Sequence, residues 1–128
     1  MHLSSRIVRR RSQQGFTLIE LIAVIVIIGV ISAVAAPKFM GLKTEAENRA
    51  AMQAVAEAQN RLTHQYAIRL MNPEADANDL SGILASVSTD AGDYRLSFAV
   101  AGSEVEITAT GVQERGVLGQ ARGTWRNR

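Results

Sequence analysis

The most distinctive hydrophobic pattern lies near the start of the chain. The segment from Gly15 to Pro37 reads GFTLIELIAVIVIIGVISAVAAP, and its only ionisable side chain is Glu20. As a helix, the part from Phe16 to Ala36 would be about 31 Å long, which matches the thickness of a bilayer core. Apolar side chains surround this helix on every side, so it is not an amphipathic surface helix. The pattern predicts a membrane-spanning helix with one carboxylate near its start.

Basic residues precede the apolar run and indicate its orientation. They are Arg6, Arg9, Arg10 and Arg11. The positive-inside rule then leaves the N-terminus in the cytoplasm and sends the rest of the chain across the membrane. A cleaved secretory signal is less favoured, because its apolar core would be shorter. The small residues at 33–36 nevertheless resemble the cut site of such a signal.

The pattern after Pro37 predicts that the helix continues to Met71. This part is rich in Ala, Glu, Gln, Arg and Met, which favour helices. One predicted face, packed on the rest of the domain, consists of Met52, Val55, Leu62, Tyr66 and Leu70. Pro37 cannot donate a hydrogen bond to the preceding turn, so we expect a kink there.

The pattern changes to a period of two after Asn72-Pro73, which ends the helix. Alternating apolar residues predict strands over 94–100, 104–110 and 121–126, with Trp125 capping the core. Residues 80–87 fit either a short helix or an irregular apolar crossing. The predicted fold class is therefore α+β, a long N-terminal helix packed on a small antiparallel sheet. The predicted divisions are a basic leader at 1–15, a membrane-spanning helix at 16–36, its amphipathic continuation at 37–71, and a loop with a small antiparallel sheet at 72–128.

The letters GFTLIE at 15–20, after a basic stretch and before an unbroken apolar run, resemble the processing motif of type IV prepilins and type II secretion pseudopilins. In that family a membrane peptidase cuts after the glycine and methylates the new N-terminal amine. The resemblance implies a basic leader removed between Gly15 and Phe16, and N-methylation of Phe16. Glu20 falls where the family carries its glutamate, and Pro37 where many members carry a helix-interrupting proline. Residues 35–39 look most like the mannose-sensitive haemagglutinin group.

The resemblance implies a structural subunit rather than an enzyme. The apolar helices would form the core of a type IV pilus-like filament. Glu20 would pair with the freed amine of Phe16 on a neighbouring subunit and set the axial stagger. The alternative for Glu20 is that it snorkels to the lipid headgroups.

The implied partners are further copies of the chain, the prepilin peptidase and methyltransferase, and an inner-membrane assembly platform. The implied location is the bacterial inner membrane, followed by a periplasmic or extracellular filament. Two alternatives stay open: a pseudopilin of a type II secretion system, and a single-pass membrane-anchored binding domain. The chain has no cysteine. Many type IVa pilins close a C-terminal loop with a disulfide, so this departure fits pseudopilins and some atypical pilins better.

The charge and composition of the chain do not indicate a binding partner. The net charge of +2 includes four of the fourteen cationic residues in 1–15, a segment without acids. Without the leader, ten cations face twelve acids, so the basic pI does not indicate nucleic-acid binding, and no nucleic acid partner is expected. The C-terminal arginines at 115, 122, 126 and 128 predict a solvated, mostly like-charged surface.

Candidate catalytic residues are scarce. His2 lies in the leader, and His64 lies on the long helix without a second ligand at metal-binding spacing. A weak cluster of oxygen ligands precedes Gly82 and comprises Asp76, Asn78, Asp79 and Ser81, but it lacks the terminal glutamate of a calcium loop. We therefore expect no catalytic residue, no metal and no cofactor.

Overall fold

A computed structural model describes residues 15–127 of the chain. The predictions for the leader and for Arg128 lie outside the described residues. The chain divides into two compact units after Pro37. The elements are α1 (Leu18–Met71), α2 (Leu80–Ala85), β1 (Asp90–Ala91), β2 (Tyr94–Ala101), β3 (Glu104–Gly111), a 3-10 turn (Gln113–Arg115) and β4 (Gln120–Arg126). The predicted α+β architecture, a long helix and a small antiparallel sheet, is confirmed.

The N-terminal unit contains the first part of α1, in which every residue from Leu18 to Pro37 is exposed. Among the described residues, α1 is the one helix that is long and apolar enough to cross a membrane. The helix includes Pro37, and the kink expected there stays a prediction. Within residues 15–37, the described part of this unit, the large apolar side chains therefore stay exposed.

The C-terminal unit contains an antiparallel sheet in the order β1-β2-β3-β4. Two-residue turns join β1 to β2 and β2 to β3, and they begin at Gly92 and Gly102, with φ of 69° and 65°. Such turns need a positive φ, which glycine adopts without strain. The three predicted strands are confirmed. The structure adds β1, which pairs Asp90 with Arg95 in a region read from sequence as a turn, and it shows that the 80–87 region contains a short helix.

The core lies between one face of α1 and one face of the sheet. The helix contributes Ala51, Ala54, Val55, Ala58 and Leu62, and the sheet contributes Tyr94, Leu96, Val105, Ile107, Ala109, Ala121 and Trp125. The odd-numbered positions of β3 and β4 point into this core, as the period of two predicts. Small side chains on the helix allow the sheet to approach closely.

The predicted core face of α1 is wrong at two positions. Met52 is 63% exposed and Leu70 is 60% exposed, whereas Val55 and Leu62 are buried and Tyr66 is partly buried. At about 100° per residue, both exposed side chains point about 100° away from Ala51, which lies at the centre of the buried face. The large apolar side chains alone do not mark the buried face, because its other members are alanines: Ala51, Ala54 and Ala58.

Polar side chains of α1 fix β4 along the helix. The backbone N–H of Gln120 donates to Asn48 Oδ1 (3.2 Å), and Gln59 Nε2 donates to the carbonyl of Thr124 (2.9 Å). Further along, Trp125 Nε1 donates to Thr63 Oγ1 (2.9 Å). The residue numbers rise together, so β4 runs in the same direction as α1. The first two bonds satisfy backbone groups of an edge strand that would otherwise be open.

Candidate functional site

The start of α1 is held by a reciprocal pair of hydrogen bonds. The backbone N–H of Glu20 donates to Thr17 Oγ1 (3.3 Å), and the backbone N–H of Thr17 donates to Glu20 Oε2 (3.1 Å). The N–H of Leu21 donates to the carbonyl of Thr17 (3.2 Å), the first bond of the helix. This is a capping box, in which the threonine and glutamate satisfy amides that the first helical turn leaves open.

The capping role of Glu20 was missed at the sequence level. The signal was present, because Thr17-Leu18-Ile19-Glu20 has the S/T-x-x-E spacing of a capping box just before an apolar run. The carboxylate was interpreted only as a charge inside a hydrophobic segment. Its position in the first turn also suits the helix dipole, whose positive end favours an anion.

The residues predicted for processing lie beside this capping box. Gly15 and Phe16 are exposed and precede the first helical turn. Among the described residues, apart from the chain neighbours of Gly15, no atom lies within 4 Å of the place where a side chain on Gly15 would begin. Gly15, Phe16, Thr17 and Glu20 line one shallow, open pocket. The structure thus brings together the residues on both sides of the proposed cut and the carboxylate. Pro37 lies apart from these residues, about 30 Å further along α1 at a rise of about 1.5 Å per residue.

The oxygen cluster near α2 is engaged in local turns. Asp79 caps α2, accepting hydrogen bonds from Ser81 Oγ (2.6 Å) and from the backbone N–H of Gly82 (3.1 Å). These bonds, the one from Ser81 first, lower the pKa of Asp79. Asp76 Oδ1 accepts from the backbone N–H of Asn78 (2.8 Å). Within residues 15–127 no three His, Cys, Asp or Glu side chains are grouped to hold a metal ion.

The described C-terminal arginines, at 115, 122 and 126, are each paired with an acid, so they do not form the like-charged surface predicted from the sequence. Arg122 pairs with Glu106 (3.8 Å) and Arg126 pairs with Glu104 across the neighbouring strands. Arg115 contacts Asp93 (3.4 Å). The antiparallel register places Glu104 directly opposite Arg126, so cross-strand pairing neutralises most of this charge. These pairs depend on the register of β3 and β4, which cannot be read from the alternation of either strand alone.

Comparison with known proteins places these features in a family. The family model described as "Prokaryotic N-terminal methylation motif" matches residues 10–36. The type II secretion system core protein G of Klebsiella michiganensis is 37% identical over 54 residues, which cover 42% of this chain and 38% of that protein. No solved structure matches the chain.

Pilins show longer matches. The type IV major pilin protein PilE1 of Neisseria gonorrhoeae is 33% identical over 93 residues, or 73% of this chain and 42% of that pilin. The fimbrial protein EcpC of Eikenella corrodens is 35% identical over 103 residues, or 79% of this chain and 64% of that protein. The chain thus spans about two fifths of the length of the first two relatives named here. The methylation motif and these relatives show that the chain belongs to the type IV pilin and type II secretion pseudopilin family.

Proposed function

We propose that this protein is a structural subunit of a type IV pilus-like filament. A prepilin peptidase cuts it between Gly15 and Phe16 and methylates the new amine of Phe16. The helix from Phe16 to Ala36 then forms the filament core, residues 37–71 continue it, and residues 72–128 complete the head. The observation that carries the proposal is an apolar helix, exposed on all sides, that begins with a carboxylate beside the processing motif.

The exposed helix supports both a membrane stage and a filament stage. Its apolar surface is compatible with lipid tails on every side. Neighbouring subunits can replace those tails at little hydrophobic cost, because the surface exchanges one apolar environment for another. The four leader arginines support a cytoplasmic N-terminus in the inner membrane. An inner-membrane assembly platform would then move the subunit into a periplasmic or extracellular filament.

The geometry of Glu20 supports a second partner in the filament. The capping box uses Oε2, and among the described residues no donor reaches Oε1. Cleavage creates a cation at Phe16, one residue before the cap. A neighbour's amine can bind Oε1 while Oε2 keeps the cap, so capping and pairing between subunits are compatible. The pair would fix the axial stagger of adjacent helices, as buried polar groups do in coiled coils.

A pseudopilin of a type II secretion system is the second candidate. The match to a core protein G and the lack of cysteine favour it. It keeps the same cut, the same methylation and the same helix packing, but its filament does not leave the cell. A single-pass membrane-anchored binding domain is the remaining alternative, and it would retain residues 1–15 and stay monomeric.

Intact mass, measured on membranes and on fibres sheared from cells, tests the proposal. A sheared species that starts at Phe16 with one added methyl group supports a surface pilus subunit. The same species confined to membranes supports the pseudopilin, and an uncut chain contradicts both. Substitution of Gly15 by Lys should block the cut. Gly29→Ala is the matched control, because Gly29 also has open space around it and lies away from the cut.

A further inference from the structure

The methionines in the described part of the chain lie outside the core. Met40 is 70% exposed, Met52 63% and Met71 78%, and all three are on α1. Among the described residues, neither the core cluster nor the partly buried residues packed against it include a methionine. Methionine is elsewhere among the residue types most often buried, and it commonly fills gaps in cores. Because the chain has no cysteine, the sulfur of its described part is confined to the surface.

Met52 and Met71 project away from the sheet. Relative to Ala51, at the centre of the buried face of α1, they are rotated by about 100° and 160°. Met52 is therefore on a flank of the helix and Met71 on its far side, so an oxygen added to either sulfur would meet solvent. Met40 lies only three residues after Pro37, next to the apolar segment that detergent must cover in a purified sample. The inference is therefore confined to Met52 and Met71.

The core of the head offers little to an oxidant that attacks thioethers. Most of its side chains are aliphatic, and its two aromatic members, Tyr94 and Trp125, are buried. The hydroxyl of Tyr94 donates to the carbonyl of Glu47 (2.7 Å), and the indole N–H of Trp125 donates to Thr63. Peroxide oxidises methionine according to its exposure. The groups that hold the head together are therefore separated from the groups that react.

We propose that Met52 and Met71 are modification sites, which take oxygen from hydrogen peroxide while the head stays folded. The sulfur lone pair attacks one peroxide oxygen, so an S–O bond forms as the O–O bond breaks. The sulfur is oxidised by two electrons, and the second oxygen takes the proton of the first and leaves as water. A sulfoxide in the core would bury a polar group, whereas an exposed one is hydrated. Methionine sulfoxide reductases can reverse the change.

Peptide mass mapping of the full chain, treated with hydrogen peroxide in detergent, tests the reactivity. Met52 and Met71 should oxidise as fast as methionine in a short unfolded peptide, and Met52→Leu and Met71→Leu should each take up one oxygen fewer. Leu62→Met is the matched control, because Leu62 is fully buried on the same helix and the change conserves volume. Its sulfur should react far more slowly. Leu96→Met, in β2, serves the same purpose if the first control does not fold.

The melting temperature distinguishes a tolerated modification from damage. Measured on a Met40→Leu background, it should be the same before and after both sulfurs are oxidised, and the two reductases should restore the original mass. If either sulfur is as protected as the one introduced at position 62, that site is covered and the proposal is wrong. A lower melting temperature after oxidation would also overturn it. The measurements use the unassembled chain, so either failure leaves the proposed filament function standing.

Discussion

The capping box at the start of α1 makes it possible to separate two roles of Glu20. Glu20→Gln removes the charge but keeps an amide oxygen that can accept the hydrogen bond from the Thr17 N–H, since glutamine also occurs in capping boxes. Thr17→Ala does the opposite, because it removes the hydroxyl that accepts the Glu20 N–H and leaves the carboxylate in place. Glu20→Ala removes both the charge and the cap.

The expected magnitudes differ enough to be distinguished. Loss of an N-cap costs about 1 kcal/mol, or about fivefold in an equilibrium constant. Loss of one member of a buried ion pair costs about 3–5 kcal/mol, or about two to four orders of magnitude. Because Glu20 lies in the first turn of α1 and its side chain is exposed, we use the lower end of that range. Filament yield should therefore decrease in the order wild type, Thr17→Ala, Glu20→Gln, Glu20→Ala.

The assay compares sheared filament with the membrane pool of the same cells by immunoblot. Intact mass of each variant establishes that cleavage and methylation still occur, so that a loss of filament reflects assembly. Thr17→Ser is the matched control, because serine keeps the capping hydroxyl, and its yield should equal that of the wild type. Equal losses for Thr17→Ala and Glu20→Gln would show that the cap, and not the charge, is what assembly needs. Normal yield from Glu20→Ala would refute the pairing argument altogether.

Three further predictions concern the head. Gly119→Ala places a methyl group against the α1 backbone and should destabilise the head by about 1–3 kcal/mol, measured by thermal unfolding in detergent. Gly41→Ala is the control, because Gly41 has open space around it and its substitution should not destabilise the head. Equal melting temperatures of the two variants would contradict the close approach. Thr63→Val leaves the indole N–H of Trp125 without its partner, so the head should lose about 1 kcal/mol of stability and its tryptophan emission should shift. An unchanged emission spectrum and melting temperature would contradict that hydrogen bond. The pKa of Asp79 is lowered in the fold, so its stabilisation is present above the ordinary carboxyl pKa of about 4 and is lost as pH falls through the lower folded value. The stability difference between wild type and Asp79→Asn should be constant above pH 5 and shrink below about pH 4, and a difference independent of pH would count against this cap.

The sequence was sufficient to predict the secondary structure and its buried face wherever one hydrophobic pattern extended over a whole segment. The apolar run before Pro37 has no polar face, and β3 alternates so regularly that its buried positions, Val105, Ile107 and Ala109, follow directly. Each of these patterns has one physical solution: a helix that needs an apolar surrounding, or a strand with one buried face. The family motif added the predicted processing residues Gly15 and Phe16, which no periodicity could indicate.

The sequence was insufficient where contacts depend on register or on small side chains. Ala51, Ala54 and Ala58 form most of the buried face of α1, but alanine occurs so often in this helix that it marks no face. The pairing of Glu104 with Arg126 requires the register of β3 and β4, which the alternating pattern of each strand does not specify. The contact of Gly119 with Glu47 depends on a close approach of two backbones, and a glycine in the sequence does not reveal which residue it will contact.

The part of α1 before Pro37 and the part packed on the sheet have different environments. Filament assembly and the stability of the head should therefore respond to different substitutions. From Ala51 to Leu62 the helix is buried by its own sheet, and Asn48, Gln59 and Thr63 bind β4 by hydrogen bonds. Before Pro37 the described part of the chain offers the helix no covering surface, so its environment must come from lipid or from other subunits. A destabilised head should therefore still insert and be cut, whereas a change at Glu20 should leave the melting of the head unchanged and act on the filament.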